Sequence, residues 1–141
     1  MNLTLDYDNK PSQSDIELIQ NGLDQFNLSQ LNQKPQEFAI YLRDDDQVIH
    51  GGIFALTFTD SLHIILLWVD EASREQGYGM KLLKAAEDEG IKRKCRFVFV
   101  DTFGFQGDKF YKNCGYQCVG KVDDVLLGHP KVFFKKVLAQ G

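Results

Sequence analysis

The residues best suited to chemistry form the run Arg74-Glu75-Gln76-Gly77-Tyr78-Gly79. An apolar strand is predicted directly before this run, and an amphipathic helix is predicted to begin at Met80. A helix start presents main-chain N–H groups without partners and a partial positive charge, and glycines let an anion approach them. Residues 74–79, called the glycine turn below, therefore predict a cradle for a phosphate or diphosphate.

The same glycines could instead have a purely structural purpose. A tight turn that packs a helix close to a sheet would also need small residues there. A nucleotide P-loop is excluded because its Gly-Lys-Ser/Thr ending is missing, and a dinucleotide fingerprint is excluded because Leu82 occupies the position of its last glycine. Arg74 and the apolar run before it favour anion binding over a purely structural turn.

The rest of the chain predicts alternating strands and helices that would hold this turn. Ser14 and Glu17 form a capping-box pattern for a first helix, which is expected to end near residues 28–32. Gly51 and Gly52 predict a bulge or a close backbone approach within a strand. Strands are predicted at residues 2–7, 37–43, 48–58, 62–69, 96–102, 116–122 and 132–138, and further helices at 80–92 and 107–114. The last two strands are expected to be linked by a loop that holds Asp123, Asp124 and His129. This order predicts one α/β (α+β) domain, with a mixed central sheet of about seven strands and helices on both faces.

Composition narrows the functional classes. The chain has 141 residues, 43% of them hydrophobic and 26% charged, which suits one globular domain. The net charge of −4 disfavours binding to nucleic acid. No basic segment followed by an apolar stretch begins the chain, and the longest apolar run, residues 64–69, is too short to span a membrane. Cys95, Cys114 and Cys118 lack metal-ligand spacing, so we expect reduced thiols, a cytoplasmic location and no bound metal.

Two segments together resemble a known family. Arg74-x-x-Gly77-x-Gly79 after Leu66-Leu67-Trp68-Val69 is similar to the acyl-CoA signature of the GNAT (GCN5-related) N-acetyltransferases. Phe110-Tyr111-Lys112-Asn113-Cys114-Gly115-Tyr116 is similar to the family's Phe-Tyr-x-x-x-Gly-Phe/Tyr segment. The order of elements matches over essentially the whole chain. The resemblance implies that residues 1–141 form a single acyl-CoA N-acyltransferase domain with splayed central strands.

The resemblance also implies a binding site for acetyl-CoA as cosubstrate. Main-chain amides of residues 76–80 would hold the diphosphate of CoA, and Arg74 would line the same turn. The edge of the splayed strand would pair with the pantetheine amides, and one of its N–H groups could polarise the thioester carbonyl. Where the family often has Asn seven residues before the tyrosine, this chain has Gly104, and Gln106 could substitute for that contact. The implied cosubstrate-binding residues are Leu67, Trp68, Val69, Arg74, Glu75, Gln76, Gly77, Tyr78, Gly79, Met80 and Gln106.

Catalytic roles follow from the same resemblance. Tyr111 would be the general acid that protonates the departing thiolate, although an aromatic anchor for its helix is the structural alternative. His63 stands where some family members carry a glutamate base, and an imidazole can deprotonate an ammonium through a water. On a regular strand, residues 63, 65, 67 and 69 share a face, which would place His63 on the side of Val69. A packed or solvated histidine is the alternative for His63, and Asp101 is a second candidate base.

The resulting hypothesis is an N-acetyltransferase that transfers an acetyl group from acetyl-CoA to a primary amine of a small molecule or a peptide. The amine would attack directly in a ternary complex, because no Cys-His-acid arrangement is visible in the sequence. The alternative is a non-catalytic acyl-CoA-binding or sensing domain, which would need neither acid nor base. No nucleic acid or membrane partner is expected, and a homodimer is expected only by analogy with the family.

Overall fold

The structure is a computed structural model that describes residues 1–138. It divides into two compact units, Met1–Lys34 and Pro35–Gly141, which are described separately. The first unit contains α1 (Gln13–Leu31). The second contains β1 (Gln36–Arg43), β2 (Ile49–Phe58), β3 (Ser61–Val69), a 3₁₀ turn (Glu71–Ser73), α2 (Tyr78–Lys92), β4 (Phe97–Phe103), α3 (Gly104–Asn113), β5 (Gln117–Leu126) and β6 (His129–Val137).

In the first unit, two predictions from the sequence were wrong. The helix is capped by Ser12 rather than Ser14, since the Ser12 hydroxyl accepts a hydrogen bond from the amide of Asp15 at 3.2 Å. Both serines carry the right side chain, but Ser12 has the extended backbone that a cap requires. Residues 2–7 take no regular structure. Alternation over six residues is a weak signal, because a strand is stable only when paired.

Over the residues that the structure describes, the sheet of the second unit has six strands rather than seven, in the order β1-β2-β3-β4-β6-β5. Only β3 and β4 run parallel, and the predicted β1–β2 hairpin is confirmed.

β5 extends to Leu126, so Asp123 and Asp124 lie within a strand and not in the predicted loop. Gly51 makes the predicted close approach, because a Cβ there would lie 2.7 Å from the carbonyl oxygen of Trp68.

One face of the sheet, the helix-bearing face, forms the core with α2 and α3. Gly90 of α2 lies close to Leu62, and Tyr111 of α3 packs on Phe134. Both helices of this unit lie on this one face, and α1 belongs to the first unit. The buried hydrophobic strand residues on the helix-bearing face are Ile53, Ala55, Leu62, Ile64, Val98, Val100, Val132 and Phe134.

A β-bulge at Ile65 shapes the middle of the sheet. Ala55 pairs with Ile64 and Phe54 pairs with Leu66, so Ile65 is an extra residue in β3. The extra residue moves Leu67 and Val69 to the helix-bearing face, and His63 stays on the opposite face. The expectation that residues 63, 65, 67 and 69 share a face is therefore wrong, because it assumed an unbroken alternation.

The central strands separate at the same point. Parallel pairing of β3 with β4 covers residues 61–64 and 97–100, and it stops at the pair Ile64 and Val100. Beyond this pair, β3 continues to Val69 on β2 and β4 continues to Phe103 on β6. The predicted splay is confirmed, and it opens a gap in the sheet beside the glycine turn.

Candidate active site

A cleft of about 880 Å³ fills the gap between the splayed strands. Its walls come from both faces of the sheet: Leu67 and Thr102 belong to the helix-bearing face, and Leu66 and Asp101 belong to the opposite face. The cleft therefore borders both faces of the sheet where the strands separate, so that groups from both faces could contact a ligand in it. Further lining residues are Trp68, Val69, Arg74, Gly79, Phe103, Phe105, Gln106, Gly107, Phe110 and Tyr111.

The glycine turn presents a row of unbonded amides at one end of the cleft. Gly77 is the N-cap of α2 with φ of +82°, a conformation that glycine adopts without strain. Within residues 1–138, no group accepts a hydrogen bond from the amides of residues 76–80, and the first helical bond runs from Lys81 to Gly77. These N–H groups lie at the positive end of a 15-residue helix, which is a favourable position for an anion.

Arg74 links this turn to the end of β3. Its Nε donates a hydrogen bond to the carbonyl oxygen of Val69 at 2.9 Å. The bond fixes the guanidinium group between the strand edge and the turn. No described residue hydrogen-bonds to its two terminal nitrogens, which leaves both available to a phosphate.

Beyond the last pair with β4, only every second residue of β3 directs its main-chain N–H and C=O groups into the opening. Asp70 donates its amide to the carbonyl of His50 on β2, whereas the Val69 carbonyl points to Arg74. Since main-chain groups alternate along a strand, those of Leu67 and Val69 point into the opening and those of Trp68 point to β2. Trp68 thus differs from the expectation, because only its indole, and not its main chain, is available in the cleft.

Tyr111 lies on α3 at the helix-bearing side of the cleft. Its ring packs on Phe110, Tyr116 and Phe134, and the residue is only 5% exposed. Its hydroxyl has no hydrogen-bond partner among the described residues but is not sealed off from the cleft that the residue lines. Burial raises the pKa of Tyr111 to about 12, so the phenol stays protonated across the physiological range.

A buried hydrogen-bonded group holds the surroundings of Tyr111 in place. Tyr116 donates its hydroxyl to Glu87 of α2 at 2.7 Å, and Lys136 contacts the other oxygen of Glu87 at 3.0 Å. The ring of Tyr116 lies 5.4 Å from that of Tyr111. This group fastens α2 to β6 and thereby fixes the wall against which Tyr111 packs.

Gln106 lines the cleft, but the oxygen of its side-chain amide is already hydrogen-bonded within the protein. Its Oε1 accepts hydrogen bonds from the amide of Phe103 at 3.0 Å and from the hydroxyl of Thr102 at 3.4 Å. The side chain therefore caps the start of α3. Its amide nitrogen is the part that remains available to a ligand in the cleft.

His63 and Asp101 meet on the opposite face. His63 stacks on Phe99 with ring centroids 4.4 Å apart, and its Nε2 lies 3.7 Å from Oδ1 of Asp101. Asp101 is the first residue of β4 beyond the last pair with β3, and it lines the cleft, whereas His63 lies behind it. The second carboxylate oxygen of Asp101 lies 3.1 Å from Nζ of Lys131, a contact that the sequence did not predict.

His50 contacts the segment that leads into the glycine turn. Its Nδ1 lies 2.8 Å from Asp70 and its Nε2 lies 2.7 Å from Asp44. The Asp70 carboxylate also accepts a hydrogen bond from the main-chain amide of Ser73 and so caps the 3₁₀ turn that leads to Arg74. The hydrogen bonds to Asp44 and Asp70 raise the pKa of His50, which favours the imidazolium form.

The described residues contain no grouping of metal ligands and place no cysteine in the cleft. Among residues 1–138, no three His, Cys, Asp or Glu side chains are grouped so that they could hold a metal ion. None of the three cysteines lines the cleft. In the same part of the chain, no helix is both long and apolar enough to cross a membrane.

Comparison with known proteins agrees with this architecture. The model of the acetyltransferase (GNAT) family matches residues 4–116. An acetyltransferase of Agrobacterium fabrum is 30% identical over 119 residues, which is 84% of this chain and 87% of that protein. A blasticidin-S acetyltransferase of Streptomyces morookaense is 31% identical over 88 residues, which is 62% of this chain and 65% of that protein.

A solved structure extends the likeness to the fold. The crystal structure of an acetyltransferase from Bacillus cereus superposes with a TM-score of 0.79 at 34% identity, covering 94% of this chain and 98% of that one. The chain therefore belongs to the GNAT acetyltransferase family. Its activity class is that of an acetyl-CoA-dependent acetyltransferase.

Proposed function

We propose that this enzyme transfers the acetyl group of acetyl-CoA to a primary amine, of a small molecule or a peptide, by direct attack in a ternary complex. The observation that carries the proposal is the gap between β3 and β4, which joins unbonded amides, a free strand edge and a protonated tyrosine in one cleft. The whole chain would act as one domain, because the family match crosses the boundary at Lys34. A cytoplasmic location and a homodimer remain predictions from the sequence.

The donor side is supported by three groups in a row. The amides of residues 76–80 and the guanidinium of Arg74 suit the diphosphate of CoA. The main-chain groups of Leu67 and the amide of Val69, whose carbonyl accepts a hydrogen bond from Arg74, suit the two amides of pantetheine, which need strand-like partners. On the other wall of the cleft, the side-chain amide nitrogen of Gln106 could donate a hydrogen bond to a carbonyl group of the cosubstrate. Together these groups would hold the thioester between Tyr111 and Asp101.

In the proposed reaction, the amine nitrogen bonds to the carbonyl carbon as the carbon–sulfur bond breaks. The amine proton passes to His63 through a water held near Asp101, and CoA leaves as a thiolate. An N–H group at the edge of β3 would stabilise the developing oxyanion. A thiol nucleophile is not required, in agreement with a cleft that no cysteine lines.

Tyr111 is suited to stabilise the leaving sulfur. Full proton transfer from a phenol with a pKa of about 12 to a thiolate whose acid has a pKa near ~8.5 would cost about 5 kcal/mol. A hydrogen bond donated to the sulfur while the bond breaks avoids most of that cost. We therefore assign Tyr111 the role of a hydrogen-bond donor to the thiolate, which takes its proton from water as CoA leaves, while Tyr111 keeps its own proton.

The test is a panel of primary amines with acetyl-CoA, monitored by the release of free thiol. Tyr111→Phe is expected to lower kcat by about 10²- to 10³-fold, because it removes the donor and keeps the ring packing. CoA binding, measured by calorimetry, should change less than about twofold. Turnover equal to that of the parent enzyme would remove Tyr111 from the mechanism, and CoA binding without turnover of any amine would favour a sensing domain.

A further inference from the structure

The ammonium group of Lys131 lies in a small site made of one carboxylate and two aromatic rings. Its Nζ is 3.1 Å from Oδ2 of Asp101, and it lies 5.7 Å from the ring centroid of Phe103 and 6.0 Å from that of Phe133. A carboxylate beside aromatic faces is a complete set of partners for a primary ammonium. The structure thus already displays how this position receives such a group.

This small site borders the cleft on the opposite face of the sheet. Asp101 and Phe103 both line the cleft, and Oδ1 of the same carboxylate lies 3.7 Å from Nε2 of His63. Asp101 therefore lies between the ammonium of Lys131 and the proposed base. An ammonium bound where Lys131 now lies would be close to the group that must remove its proton.

Lys131 can leave this position at little cost. Its side chain is 36% exposed, so its ammonium can move into water while its stem stays on the sheet. An incoming ammonium would then replace it at Asp101, and no charge would be left without a partner. Two exposed aromatic side chains, Trp68 at 54% and Phe105 at 59%, also line the cleft, and the ring of Phe105 stacks on that of Phe103. They offer apolar surface to whatever carries the amine.

We propose that Asp101, Phe103 and Phe133 form the subsite for the ammonium of the acceptor, and that Lys131 occupies this subsite until the acceptor arrives. The inference rests on the proposed N-acetyltransferase function and narrows its acceptor. The acceptor is a primary alkylamine whose ammonium adjoins an aromatic or other flat apolar group. Lys131 is a specificity-determining residue that competes with the acceptor for Asp101.

The experiment compares Lys131→Met with Lys131→Arg on two amines at saturating acetyl-CoA. For 2-phenylethylamine, which is an ammonium near neutral pH, Lys131→Met is expected to lower KM about two- to fivefold, the range set by an exposed ion pair. For aniline, which is uncharged near neutral pH, KM should not change. Lys131→Arg keeps the competing cation and should retain the KM of the parent enzyme.

A double-variant cycle separates competition from a general change in structure. In an Asp101→Asn background, Lys131→Met should have no effect on KM, because the group for which the two cations compete has lost its charge. An unchanged or higher KM for 2-phenylethylamine in Lys131→Met would overturn the proposal. An equal fall in KM for both amines would also overturn the proposal. The same would follow if Lys131→Met changed KM as much in the Asp101→Asn background as in the parent enzyme.

Failure of the proposed function would be recognised separately, as the absence of thiol release with every amine. In that case the subsite is tested by calorimetry with 2-phenylethylammonium and protein without acetyl-CoA. Tighter binding to Lys131→Met than to the parent protein supports the subsite. Equal affinity for both proteins overturns it.

Discussion

Gly77→Ala tests whether the shape of the glycine turn is what binds the diphosphate of CoA. Gly77 has φ of +82°, and a Cβ built there would meet no atom within 4 Å. The substitution therefore adds no steric clash, and its whole cost is conformational. A non-glycine residue in the left-handed region costs roughly 1–2 kcal/mol. If the turn relaxes when empty, binding must restore the left-handed geometry, and the Kd for CoA should rise roughly 5- to 30-fold.

Two measurements detect this conformational cost. Calorimetry with CoA reports a change in Kd, and thermal unfolding of the free protein reports a change in Tm. A turn that cannot relax would show the same cost as a lower Tm, with Kd unchanged. Gly22→Ala is the matched control, because Gly22 lies within α1, has no atom within 4 Å of the added Cβ and has no left-handed backbone. That control should leave Kd unchanged and raise stability by up to about 1 kcal/mol. A Gly77→Ala protein with the parent's Kd and the parent's Tm would refute the reasoning.

The packing of Tyr111 and the environment of His50 lead to two further predictions. At Gly107, a Cβ would lie 3.0 Å from Cε2 of Tyr111, so Gly107→Ala should displace the ring and lower kcat about tenfold, with CoA affinity retained in calorimetry. An unaltered kcat would contradict the assigned role of the hydroxyl. The hydrogen bonds from His50 to Asp44 and Asp70 raise its pKa, so their contribution to folding is complete below the unfolded value of 6.5 and is lost as pH rises through the higher folded value. Urea unfolding between about pH 5.5 and 9 should show this decline for the parent protein and a flatter curve for His50→Gln, and parallel curves would exclude a stabilising imidazolium.

Features encoded by neighbouring residues were predictable from the sequence. The glycine turn, the apolar β3 and the helix after it depend on residue types that lie side by side, and the structure has them within a few residues of the expected bounds. The close approach at Gly51 was predictable for the same reason, since a glycine within a strand often marks a place where another backbone comes close.

Features that depend on register were not predictable. The bulge at Ile65 leaves no mark in an apolar run, yet it changes which face every later residue of β3 occupies. The contact of Lys131 with Asp101 arises because β6 pairs with β4, and no spacing in the sequence reports that pairing. Ser12 and Ser14 are equally good caps by type, and only the backbone at Ser12 decides between them.

The position of the bulge also supports the direct transfer that we propose. The extra residue at Ile65 coincides with the end of β3–β4 pairing, so the strands separate where the side-chain alternation changes. The gap that results has Tyr111 on the helix-bearing face and Asp101 on the other. In the proposed reaction, the amine proton would leave towards the face of Asp101, and Tyr111 would donate a hydrogen bond to the sulfur from the other face. The base and the hydrogen-bond donor would then act on different atoms on opposite faces, as a direct attack without a covalent intermediate requires.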